Sequence, residues 1–261
     1  MTYTPPTTAG LAVELNTSPA HSGRISSPSG QLRRVMPLMR KYEVAHLTPS
    51  SQISETLISA PAVPLFENAF AAFGRGAILQ TDHGPMAIED LLPGDRVMTT
   101  YHGLQTLMWK GAMTLSPSQS ESATMTRITS DALGLGRPAM DLVLGPSARI
   151  LHKSPAIKAL TGTTEALIPI RDFVDGNQLI ALHPMSRVQV YQIGFARHTC
   201  VNVNGVVVET LHPGPAHLFN LRAEMQQHFQ ALFPHVQTPA AFGPMAAPRL
   251  RLEDLALVQV A

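Results

Sequence analysis

One cysteine in 261 residues, Cys200, excludes an intramolecular disulfide and any metal site built from several thiolates. Cysteine usage therefore leaves the redox compartment open. Charge is sparse as well. Only 14% of residues are Asp, Glu, Lys or Arg, the formal net charge is +1, and the 19 Lys and Arg form no dense basic stripe. The electrostatic footprint of a nucleic-acid or anionic-membrane binder is thus missing, and neither partner is expected. No stretch reaches the roughly 18 apolar residues needed to span a bilayer. The opening MTYTPPTTAGLAVEL lacks the basic and then apolar order of a secretory signal. The expectation is a soluble protein, cytoplasmic or exported without a cleaved signal peptide. His83 and His102 lie in turns, and the 11 histidines show no zinc-ligand spacing, so neither a metal nor a cofactor is expected.

What is present is a core. With 44% hydrophobic residues the chain can bury one principal domain. Residues 1–36, with TPPTTAG and HSGRISSPSG, mix Pro, Ser, Thr and Gly without periodicity and read as a flexible arm. Residues 37–69 read as short strands, YEVAHL and ISETLISA, leading into the main domain at its edge. Pro64 then opens LFENAFAAF, which is expected to make about two helical turns before Gly74 ends it.

From Gly76 the texture is all-β. AILQT, DHGP and MAIEDL read as strand, turn and strand, because Gly84 tolerates positive φ and Pro85 removes a backbone donor. LPGDRVMTT and LQTLMWK supply two further strands, the second carrying the only tryptophan, Trp109, expected in the core. Residues from about Ser116 to Pro138 read as an irregular excursion. Strands resume at DLVLG, ARILH, EALIPI, RVQVYQI, TCVNV and VVVETL, the last two joined by Asn204-Gly205, a strong hairpin cue. After Pro213 the period changes: Leu218, Leu221, Met225, Phe229 and Leu232 fall at helical spacing. A C-terminal amphipathic helix over 216–233 follows, ended by Pro234, within a segment 216–261 whose tail LRLEDLALVQV is too short to fold alone. That helix is expected to cover the β domain or to pair two copies of the chain.

The stretch AFGRGAILQTDHGPMAIEDLLPGDRVMTT resembles the opening of Hint domains, the fold shared by hedgehog autoprocessing domains and inteins, in the bacterial group of Hint-domain proteins. Phe73, Gly76, Glu89, Asp90, Leu91, Gly94, Asp95 and Val97 occupy the places of that pattern. LVLGPSARIL, LIPIRDFVDG, RVQVYQIGFARH and VVVETLHPG continue it in order, so the resemblance covers about 70–215. It implies an all-β fold, a horseshoe of β-hairpins that brings the ends of the domain to one site.

The resemblance also implies a chemistry. In the family a thiol or hydroxyl attacks the preceding carbonyl in an N-to-S or N-to-O acyl shift, a second-block histidine protonates the leaving nitrogen, and oriented donors hold the oxyanion. Here the nucleophile position is Ala72, the histidine position is Ala148, and the hydroxyl residue of that block is Gly145. No Cys, Ser, Thr or Lys occurs from Leu65 to Gln80. Some inteins that begin with Ala bypass the first shift, but they still use the histidine and a downstream nucleophile. Losing one member of a catalytic unit removes orders of magnitude of rate. No catalytic residue is therefore assigned. The residual candidates are His212, His198, Cys200 and Asp95. His212 and His198 match closing-block histidines and are expected to bond backbone or core groups. Cys200, in the alternating strand TCVNV, is expected to behave as a small buried hydrophobe, and Asp95 to cap its own turn. The expected function is a Hint-type protein without autoprocessing activity, acting as a binding or structural module toward an unidentified protein partner or itself. The alternative is self-cleavage or splicing-type processing near residue 72 by an unrecognised nucleophile such as Cys200.

Overall fold

The computed structural model describes residues 38–117, 123–214 and 223–259. The expected arm of 1–36 and the first turns of the expected 216–233 helix, with Leu218 and Leu221, lie outside them. Fifteen strands join in one connected antiparallel sheet. In chain order they are β1 (Met39–Leu47), β2 (Ile53–Pro61), β3 (Phe73–Gly74), β4 (Ile78–Thr81), β5 (Gly84–Ala87), β6 (Arg96–Thr99), β7 (Gly103–Leu115) and β8 (Met125–Ile128). They continue with β9 (Leu142–Leu144), β10 (Arg149–Lys153), β11 (Glu165–Pro169), β12 (Leu179–Leu182), β13 (Val188–Phe195), β14 (Cys200–Val203) and β15 (Val206–Glu209).

The hairpins form where turn chemistry demands them. Asn204 and Gly205 take φ of 51° and 93°, the two left-handed conformations that a two-residue turn between β14 and β15 requires. Between β4 and β5 the Thr81 hydroxyl donates to the Gly84 carbonyl at 2.7 Å and accepts from the His83 N–H at 3.1 Å, closing the DHG turn.

Several elements differ from expectation. The helix opened by Pro64 covers only Pro64–Glu67 (α1), with turns to Phe70. It stops because Ala71 and Ala72 spend their backbone groups on partners elsewhere in the sheet. The excursion after Ser116 contains a regular strand, β8, paired with β9 and β12. PAIKALT forms a helix, α2 (Pro155–Thr161), with the Ser154 side chain accepting from the Ala156 N–H and Gly162 in the left-handed conformation at its end. The C-terminal helix α3 is described over Ala223–Leu232 and buries Phe229 and Leu232. The tail forms a further helix, α4 (Leu252–Gln259), stable only by docking: Leu255 shares a buried cluster with Ile157 of α2.

Two large apolar clusters result. One fills the β domain and contains Phe73, Leu79, Val97, Leu144, Ile193 and Val201. The other is built partly from the segment upstream of the β domain, with Tyr42, Phe66 and Phe70 packed on Trp109 and Phe233. Strand β1 pairs with β7 from Tyr42↔Met113 to His46↔Trp109, so the 39–61 hairpin extends the same sheet. Phe70 lies 4.7 Å from the Tyr42 ring, 5.2 Å from Trp109 and 6.0 Å from Phe233, centroid to centroid. The indole N–H of Trp109 donates to the Leu232 carbonyl at 2.9 Å, tying α3 to the same cluster.

Candidate functional site

The peptide joining Ala71 to Ala72 enters β3 clamped on three sides by backbone. The Ala72 N–H donates to the Tyr191 carbonyl at 3.1 Å, the Gly145 N–H to the Ala72 carbonyl at 2.8 Å, and the Ser147 N–H to the Ala71 carbonyl at 3.0 Å. Gly145 is what allows this approach. A Cβ there would stand 2.7 Å from the Ala71 carbonyl carbon and collide with its oxygen, far inside contact distance. Ala72 and Ala148 are both 1% exposed and belong to the same buried apolar cluster. The fold thus brings together the positions that the sequence singled out, two offering a methyl and Gly145 no side chain at all.

The start of the domain is fixed by Glu89, whose carboxylate accepts from the Gly76 N–H at 2.9 Å and lies 3.3 Å from Arg75. Lys110 Nζ donates to the carbonyls of Glu89 and Leu91, at 2.6 and 2.8 Å. Asp95 accepts from the Leu92 N–H at 2.7 Å, across its own turn. These acidic side chains serve the backbone.

At the end of the domain His198 and His212 come together, ring centroids 4.7 Å apart, around Glu209. His212 is held by backbone on both nitrogens: Nδ1 accepts from the Gly214 N–H at 3.1 Å and Nε2 donates to the Gly243 carbonyl at 3.0 Å. Burial pushes its pKa down to about 4, so it is neutral at pH 7. His198 Nδ1 accepts from the Ala246 N–H at 2.9 Å, leaving Nε2 to face Glu209 Oε1 at 3.3 Å. That approach is poorly aligned for a hydrogen bond.

Glu209 is the centre of a cluster that sequence reasoning missed. Arg249 Nε donates to it at 2.9 Å, Arg249 Nη2 also donates to the His212 carbonyl at 2.7 Å, and Arg149 Nη1 stands 3.5 Å from Oε2. Burial works to raise the Glu209 pKa, but His198 and the two guanidiniums outweigh it and hold the carboxyl below its ordinary value. The one available signal was a Glu closing the apolar run VVVET; nothing in the chain marked Arg249, which arrives from the tail.

Cys200 lies opposite Glu209 in the β14–β15 register, fully buried in a separate cluster with Leu151, Leu167 and Ala247. Burial, with Glu209 and Glu165 adding, pushes its thiol up to about 12, which keeps it protonated and a poor nucleophile. Among the described residues no three His, Cys, Asp or Glu side chains group as a metal site, and no helix is long and apolar enough to cross a membrane.

The family model of the Hint domain matches residues 71–215, from the clamped peptide to the His212 turn. This chain belongs to the Hint domain family. Among solved structures, this Hint domain is similar to a bacterial intein-like domain from Clostridium thermocellum, at 14% identity over 54% of this chain and 98% of the other, with a TM-score of 0.34. It is also similar to a splice-inactive variant of the AceL NrdHF class 3 split intein, at 12% identity over 54% and 98%, with a TM-score of 0.37. No curated protein sequence matches the chain.

Proposed function

We propose that this Hint domain keeps the architecture of the acyl shift without performing it, and serves as a binding and structural module in which residues 38–71 are a permanent part of the fold. The observation that carries this reading is the Ala71–Ala72 peptide. It is held by three backbone hydrogen bonds against Gly145, with methyl groups at the nucleophile and acid positions. A methyl has no lone pair to attack a carbonyl and no proton to give a leaving amine. The upstream segment is also no passenger, since Tyr42, Phe66 and Phe70 supply a buried cluster and β1 a strand of the sheet.

Self-cleavage at the same bond is the second reading, and one observation favours it. The Ser147 hydroxyl is buried without a hydrogen-bond partner, on the residue whose N–H holds the Ala71 carbonyl. Attack by that oxygen would pass the 1–71 acyl group to Ser147 and the hydroxyl proton to the Ala72 nitrogen. No side chain among the described residues hydrogen-bonds this hydroxyl to activate it. Intact-mass analysis of the full chain with and without dithiothreitol or hydroxylamine separates the readings. A single full-length species supports the inert module. A 72–261 fragment that disappears in Ser147→Ala establishes self-cleavage.

A further inference from the structure

Beside the Glu209 cluster lies a cavity of about 540 Å³, a size in the range of small-molecule sites. Its walls differ in kind. Val63, Leu65 and Met225 supply apolar lining that packs on the Phe70 cluster, while Arg149 and Arg249 supply guanidiniums. No carboxylate is among its lining residues.

The charges around it do not balance. Arg149 and Arg249 share one carboxylate, Glu209, and Arg249 takes the better part of it, using Nε and Nη2 at 2.9 and 2.8 Å. Arg149 has only a long contact of 3.5 Å from one nitrogen. The two histidines of the cluster, neutral or cationic by nature, add no negative charge. Two guanidiniums facing one carboxylate leave one net positive charge, partly withdrawn from water, at the edge of an apolar cavity. A forked guanidinium in that setting matches a carboxylate, and desolvation strengthens the match.

We propose that this cavity binds a small amphiphilic monocarboxylic acid, its carboxylate on Arg149 and its aliphatic tail against Val63, Leu65 and Met225. The apolar side is what distinguishes this ligand from a simple anion, because inorganic phosphate would leave those side chains facing water. The proposal rests on the inert-module reading in one respect: Val63, Leu65 and Asn68 precede residue 72 and form the wall only while the chain stays whole.

Calorimetric titration of the full-length protein with octanoate, 1-octanol, inorganic phosphate and acetyl-Gly-Gly-Leu tests it. Octanoate is expected to bind, with octanol, phosphate and the peptide each weaker by about tenfold or more. Arg149→Gln is expected to lose octanoate binding by about tenfold while keeping the Arg249–Glu209 pair. In the wild-type chain carrying methyl-labelled methionine, the Met225 signal is expected to shift on titration, which locates the ligand even where the variant does not fold. Equal binding of octanol or phosphate, unchanged binding in Arg149→Gln, or no heat and no Met225 shift up to about 5 mM octanoate overturns the proposal. Tighter binding of the peptide also overturns it, in favour of a peptide C-terminus. Intact mass of the titrated sample keeps the two claims apart: loss of binding in an uncut chain sinks only the ligand, whereas a cut chain sinks the inert module.

Discussion

The Ser147 N–H donates to the Ala71 carbonyl oxygen at 3.0 Å, the oxygen that would take up negative charge if the following peptide bond were attacked. Its placement is that of an oxyanion donor. On the inert-module reading its work is structural: it holds a peptide that packs so closely on Gly145 that a Cβ there would collide with the Ala71 carbonyl.

Restoring a thiol alone should not restore chemistry. In Ala72→Cys the added sulfur enters a site 1% exposed, at a packing cost of about 1–3 kcal/mol. The histidine position remains Ala148, so no acid is present for the leaving nitrogen. Intact mass in dithiothreitol should show the full-length chain after a day at room temperature.

Restoring the hydroxyl of the second block should damage the fold. Gly145→Thr places a Cβ against the Ala71 carbonyl, and that obstacle is backbone, which cannot swing away. Urea unfolding should show a loss of about 3 kcal/mol or more. Gly145→Ala should lose nearly as much, since the clash begins at Cβ.

Phe70 tests whether the upstream segment is integral. It is fully buried among Tyr42, Trp109 and Phe233, and the absence of a side chain at Gly111 lets it approach, since a Cβ there would fall 2.6 Å from its ring. Phe70→Ala should cost about 3–5 kcal/mol in denaturant unfolding. A chain starting at residue 72 should bind a hydrophobic dye strongly, because Trp109 and β7 lose their cover.

Acid should destabilise the protein through buried neutral histidines. His235 has neither ring nitrogen hydrogen-bonded and sits 5.8 Å from both Trp109 and Phe242; burial, with His46 adding, pushes it down to about 3. His212 is pushed down to about 4, again mainly by burial. Well above pH 6.5 both are neutral folded or unfolded and contribute no slope. Below it the unfolded chain takes up protons that the folded chain refuses, so stability falls until each folded pKa is reached. For His235 the slope approaches about 1.4 kcal/mol per pH unit. Melting temperatures at pH 7, 6, 5 and 4 should fall in that order, and less steeply in His235→Phe.

The hairpins were legible because their turns carry the chemistry that closes them: Asn204 and Gly205 take the positive φ that their types announce. Strand β8 was not, because Met125–Ile128 sits within a Ser- and Thr-rich run and owes its order to pairing with β9 and β12. Helix α2 was hidden by length, seven residues whose Ser154 cap and Gly162 stop flank too little periodicity to read. The meeting of Ala72 with Ala148 was visible only through family resemblance, since neither methyl carries a signal of its own. The Glu209 cluster was invisible for a topological reason: Arg249 comes 40 residues after Glu209, and the fold alone brings it back.

Native-state hydrogen exchange of the Ala72, Gly145 and Ser147 amides tests most directly whether the 71–72 peptide is core backbone. All three should exchange only by global unfolding, with protection equal to that of Val201 in the sheet and of Leu211, whose N–H donates to the Ile193 carbonyl, and with the same denaturant dependence. Rapid, denaturant-independent exchange at these three amides, with Val201 still protected, would show a junction that opens on its own and would contradict the claim that it is built into the fold.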